Sequence, residues 1–228
     1  KKTAKLCKQL GISVVSDFSG KSGRNRVIWG SKGIGALLLG IGKAEGLTLD
    51  VLRSALGTAV RLAASQELPT LVLADTHLSE LALDGDVLVE ALVAIRLAAY
   101  RFVAFKSEPG TGDCPDKISV LSSEDVSGRI ATAEAIASGV ELARDLVNTP
   151  ANTATPEYMA QTARDLGVAY GFGVQVFGQD EIIAMGMGSF ASVFRGSDTP
   201  ARFIVLDSAP QSGDRPLVFV GKGLTFDS

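Results

Sequence analysis

The chain has 228 residues, enough for one large domain or two modest ones. Hydrophobic residues make up 46% and charged residues 21%, so a core can form without a disulfide or a structural metal. Lys and Arg number 22 against 25 Asp and Glu, a net charge of -3, which argues against nucleic acid as a partner.

No apolar run reaches the ~18 residues that a membrane span needs. The basic start, Lys1-Lys2-Thr3-Ala4-Lys5, has no apolar signal core behind it. Cys7 and Cys114 lie far apart and lack CxxC spacing, which suits a reducing compartment. The chain therefore reads as cytoplasmic, without membrane contact. It lacks an initiator Met and stops just after a strand-and-turn pattern, so it reads as part of a longer polypeptide.

In chain order, residues 12–15 and 27–29 read as short strands, and the apolar run at 36–41 as a stronger one. A helix is predicted from about Thr48, with Leu52, Leu56, Ala59 and Ala63 on one face at helical spacing. Pro69 ends it, and TLVLA at 70–74 reads as a buried strand. Asp84 is the expected cap of the next helix, whose apolar face is Leu88, Leu92, Ile95 and Ala99. Turn chemistry makes 108–113 a loop, and residues 117–121 read as a strand. Strand, helix, strand, helix, strand is the pattern of an α/β layer.

A long helix is predicted over 124–147, entered through Ser122 or Ser123. Val126, Ile130, Ala133, Ala137, Val140 and Val147 form its stripe, and Asn148-Thr149-Pro150 ends it. Its length suits a connector between an α/β domain at 1–123 and a second at 149–228. The second block opens with a clear helix start: Thr155 as cap, Pro156 at the first position and Glu157 in the first turn. That helix is expected to run to about Leu166. A strand at 173–177, a short helix at 180–185 and a turn at 186–189 follow. Strands are then expected at 202–206 and 217–220.

Several familiar chemistries fail on spacing. After Gly33 and Gly35 the dinucleotide fingerprint needs a third glycine where Leu38 stands. Gly42-Lys43 and Gly221-Lys222 both lack the earlier glycine of a phosphate-binding loop. No serine sits in G-x-S-x-G. His77 is the single histidine, which excludes HExxH and other zinc sites built on two histidines within this chain.

The remaining chemistry sits in the last residues. The predicted strand at 217–220 ends in a glycine-flanked lysine, Lys222, and ligand crevices of open α/β sheets lie at the carboxyl ends of strands. Gly221 and Gly223 would permit close approach of a ligand. Asp227 follows five residues later. A carboxylate is a hard oxygen ligand that can bridge two cations. A lysine amine ligates only when deprotonated, a state favoured by desolvation and an adjacent cation. The plainer alternative is a lysine and an aspartate on one solvated loop, and the residues alone do not separate the two.

Val220-Gly221-Lys222-Gly223-Leu224-Thr225-Phe226-Asp227-Ser228 is very similar to the motif that opens the active site of the leucyl aminopeptidase family. Arg144-Asp145-Leu146-Val147-Asn148-Thr149-Pro150-Ala151-Asn152, followed by Thr155-Pro156-Glu157-Tyr158, resembles that family's entry into its catalytic domain. Gly186-Met187-Gly188-Ser189, Arg195-Gly196-Ser197 and Pro200-Ala201-Arg202-Phe203-Ile204-Val205-Leu206 resemble the stretch between, in the same order.

The resemblance implies an N-terminal α/β domain at 1–123, a connecting helix at 124–148, and the start of a catalytic α/β domain with a central, mostly parallel sheet at 149–228. It implies that Lys222 ligates one metal ion and that Asp227 bridges two, either Mn or Zn. The other ligands, a second lysine and an arginine holding a bicarbonate base are expected beyond Ser228, so the fragment alone should be inactive. The implied reaction is release of N-terminal residues, preferably Leu, from peptides with a free N-terminus, by a hydroxide activated between the two metals. A homo-hexamer is expected. The competing reading is a non-catalytic binding or assembly module of the same family; DNA binding as its role is disfavoured by the acidic balance.

Overall fold

The computed structural model describes residues 18–29, 35–75, 78, 80–108, 114–208 and 215–225. The strand expected at 12–15, most of the loop at 108–113, Cys7 and His77 lie outside them.

The chain is a mixed α/β protein. β1 (Asn25–Trp29) and β2 (Gly35–Leu39) pair antiparallel, with Asn25 opposite Leu39 and Trp29 opposite Gly35. The chain leaving β2 is pinned against the turn before β1: the Gly40 amide donates to the Arg24 carbonyl at 2.7 Å and that of Gly42 to Gly20 at 3.0 Å. A Cβ on Gly40 would run into the Lys21 carbonyl, so only glycine fits there.

Helix α1 (Leu49–Ser65) starts where expected, with the Thr48 hydroxyl accepting the Val51 amide at 3.3 Å. The predicted face is the buried one: Leu52, Leu56, Ala59 and Ala63, joined by Val60. β3 (Thr70–Ala74) follows, then α2 (Val87–Ala99), then β4 (Lys117–Leu121), which pairs in parallel with β3. A parallel pair needs a crossover, and α2 lies within it. The helix is capped by Asp86, not by Asp84 as expected. Asp86 Oδ1 accepts the Leu88 and Val89 amides at 3.1 and 3.2 Å. A capping oxygen must reach the second or third amide of the helix, and Asp84 stands two residues too early, behind Gly85 with its φ of +82°. Leu52, Leu56, Val60, Leu88, Ala91 and Ile95 form the centre of the core, with Leu71, Leu73, Ile118 and Val120 of the strands packed on it.

Helix α3 (Ser127–Asn148) begins three residues later than expected. Ser122 is engaged elsewhere: its hydroxyl donates to Asp75 Oδ2 at 3.0 Å and accepts the Glu124 amide at 3.2 Å. Asp125 takes the Ser127 amide instead, at 2.9 Å, and this bond holds its carboxyl below the usual value. Of the predicted stripe, Val126, Ala133 and Ala137 are buried and Ile130 packs on the core. Val147 departs from it at 85% exposed.

Cα proximity divides the chain into two compact units, Lys1–Leu142 and Ala143–Ser228, so the division falls within α3. In the second, α4 (Pro156–Tyr170) starts under the Thr155 cap and outlasts its expected end at Leu166. It stops at Gly171, whose φ of +74° is the left-handed closure that glycine favours. β5 (Gly173–Phe177) pairs antiparallel with β6 (Phe203–Asp207). Between them lie α5 (Gln179–Ala184) and α6 (Gly188–Phe194). A turn was expected at 186–189; Gly186, at φ +72°, makes it, but the chain re-enters a helix at once. Ile182, Ala191, Phe194 and Ala201 make the second core, covered by Phe177, Met187, Phe190 and Phe203. Among the described residues no helix is long and apolar enough to cross a membrane.

Candidate metal centre

Within the second unit, the charged groups of α4 form one network. The Glu157 carboxylate, in the first turn of α4, accepts from Arg164 Nη1 at 2.9 Å and from Arg202 Nε at 2.6 Å. Hydrogen bonds first from Arg164 and then from Arg202 hold its carboxyl below its ordinary value of 4.5. The sequence marked Glu157 only as a first-turn acid. Its second role, tying the start of α4 to the residue before β6, depends on a partner 45 positions away. Upstream, the Thr149 hydroxyl donates back to the Asp145 carbonyl at 2.6 Å, closing α3 one residue before Pro150.

The segment expected to present the site does not form the predicted strand. Residues 215–225 have no regular secondary structure, and Leu217, Val218, Phe219 and Val220 are 82%, 71%, 87% and 95% exposed. Strand geometry persists only where a neighbour completes the backbone ladder. Among the described residues no segment pairs with this one.

Lys222 is exposed. A Cβ built on Gly221 or Gly223 would meet nothing within 4 Å, and neither glycine has a positive φ. Asp227 lies outside the described residues, and so does any distance between it and Lys222. Among the described residues no group of three or more His, Cys, Asp or Glu side chains could hold a metal ion. Cys114 is also not placed as a ligand: its thiol donates to the Ala99 carbonyl at 3.2 Å.

The donor chemistry fits a metal in part. One amine and one carboxylate are suitable ligands for Zn or Mn, and the open flanks of Lys222 leave room for an ion. Two donors fall short of the four or more that each such ion takes, by about half at best.

Two models of one family match the chain. The N-terminal domain of the cytosol aminopeptidase family matches residues 10–109, and its catalytic domain matches residues 141–228. The chain belongs to the cytosol aminopeptidase family. Its relatives include a probable cytosol aminopeptidase of Nitratidesulfovibrio vulgaris, 37% identical over 203 residues, which covers 83% of this chain and 40% of that protein. Another, from Cyanothece sp., is 39% identical over 221 residues, covering 93% and 44%. The chain thus spans less than half the length of these curated relatives. Among solved structures, the bottromycin maturation enzyme BotP in complex with Mn superimposes with a TM-score of 0.73 at 26% identity, covering 86% of this chain and 42% of that one. A mutant tomato leucine aminopeptidase, at 24% identity and a TM-score of 0.71, covers 83% and 39% and shares the fold. Within the family's catalytic match fall the Glu157 network and the whole of Val220 to Ser228, including Lys222 and Asp227.

Proposed function

We propose that this chain is the N-terminal unit and the opening of the catalytic unit of a two-metal aminopeptidase that releases N-terminal residues from peptides, leucine preferred. The observation that carries the reading is the run from Val220 to Ser228. It sits inside the segment matched by the family's catalytic domain and contains an amine and a carboxylate five residues apart. Lys222 would donate its amine to one divalent ion, and Asp227 would share its carboxylate between that ion and a second. Bound there, two ions of Mn or Zn supply Lewis-acid chemistry at the scissile amide. The chain's own part would be to supply one amine and one carboxylate, five residues apart in sequence. An assembly of six copies, a bicarbonate base and a cytoplasmic setting belong to the same proposal.

Residues 1–228 by themselves would bind divalent ions weakly and hydrolyse nothing, since two donors leave both ions under-coordinated. In the complete polypeptide, Asp227→Ala should abolish Mn- or Zn-dependent hydrolysis of leucine amide, and Lys222→Ala should weaken binding of one ion. Unchanged turnover in Asp227→Ala would end this assignment. Two tight ions per isolated fragment in calorimetry would end the claim that the donors are incomplete.

A further inference from the structure

We propose that α3 contains a latched joint, softened at Gly139 and closed by an ion pair between Arg96 and Glu141. Arg96, in the last turn of α2, donates from Nε to Glu141 Oε1 at 3.0 Å and from Nη2 to Glu141 Oε2 at 2.9 Å. This two-point fork holds a planar guanidinium against a carboxylate in a fixed orientation, which a single contact does not do. Both partners are partly shielded, at 42% and 21% exposed.

The position of the fork along the helix gives it a role. Upstream, Val126, Ala133 and Ala137 are buried, and Ile130 packs on the core. From 138 to 148 every residue is half-buried or exposed. Gly139 opens this stretch. Its Cβ position is empty space, so no packing demand explains a glycine there. Glycine inside a helix loosens it relative to alanine. A segment of this length has little helical stability of its own. The fork falls two residues past the glycine, one residue before the division between the two compact units. With the latch closed, the helix continues to Asn148. With it open, the turns after Gly139 fray, and with them the Arg144 to Asn152 run that leads into the catalytic match. The inference does not depend on the peptidase reading.

Hydrogen exchange on the complete polypeptide tests it, by comparing peptides from 127–137 with peptides from 138–148. Glu141→Gln and Arg96→Ala should each speed exchange of 138–148 about 5-fold while 127–137 stays within about twofold. Arg96→Lys, which keeps the charge but loses the fork, should fall between them and the parent. The charge swap Arg96→Glu with Glu141→Arg should restore the parent rate. Gly139→Ala should slow exchange of 138–148 and blunt the effect of Glu141→Gln. The proposal is overturned if the single variants leave 138–148 unchanged, if exchange rises equally over 127–137, or if the swap leaves the rate high. It is equally overturned if Gly139→Ala leaves the Glu141→Gln effect undiminished.

Discussion

Gly167 offers a sharp test of how α4 packs on its strand pair. Ala160, Ala163 and Gly167 form a line of small residues along α4, which lets the helix lie close to β5. A Cβ at 167 would fall 2.6 Å from Val174 Cγ2 and 3.1 Å from the Phe172 carbonyl. Ordinary carbon contacts need about 1 Å more, and a valine on a strand cannot turn its methyl aside freely. Overpacking of this kind costs about 1–3 kcal/mol. Against it stands a gain of at most about 1 kcal/mol from replacing glycine in a helix. Gly167→Ala should therefore destabilise by about 0–2 kcal/mol. In a Val174→Ala background the offending methyl is gone and only the 3.1 Å approach to the Phe172 carbonyl remains, so the same change should cost clearly less. The assay is urea denaturation of all four members of the cycle, followed by far-ultraviolet circular dichroism. If Gly167→Ala costs as much in the Val174→Ala background as in the parent, the close approach of α4 to β5 is not what selects glycine.

Two further changes check local assignments. Asp86→Ala should cost about 1 kcal/mol through loss of the cap on α2, whereas Asp84→Ala should cost little; equal effects in thermal unfolding would return the cap to Asp84. Glu157→Gln tests the two-arginine network by pH. Because the folded carboxyl titrates below its ordinary 4.5, its contribution is complete above that value and fades as pH falls through the depressed one. The variant should have a lower urea midpoint than the parent at neutral pH, and the gap should close in acid below 4.5. A gap that stays constant across that range would show that Glu157 acts by packing and not by charge.

What the sequence revealed depended on how local each cause was. The bounds of the strands at 70–74, 117–121 and 173–177 were readable to the residue, because each is a short apolar run with a turn signal at its edge, but 70–74, expected to be buried, has one open face, with Val72 56% exposed. The buried face of α1 was equally plain, since a single period of 3.6 decides it. The errors arose where two local signals compete. Asp84 and Asp86 both look like caps, and only the Gly85 turn shows which carboxylate meets the helix amides. Ser122 looks like an entry to α3, but Asp75, buried just past the end of β3, claims its hydroxyl.

The run at 217–220 shows a different kind of limit, and it bears on the site. Its side chains carry the same strand signal as those at 70–74, yet one forms a strand and the other does not. At 70–74 the Leu71 and Leu73 side chains face a core, and the backbone meets β4 in register. At 217–220 the chain finds neither a core nor a ladder among the described residues. An apolar β-branched run states what a segment does once a partner is supplied; it does not supply the partner. The same logic governs Lys222. Its placement at a strand end was inferred from a strand that needs a neighbour, and without one the amine is exposed. Loss of metal-dependent turnover in Asp227→Ala is therefore the expected outcome if the segment gains its neighbour, and unchanged turnover would refute the reasoning.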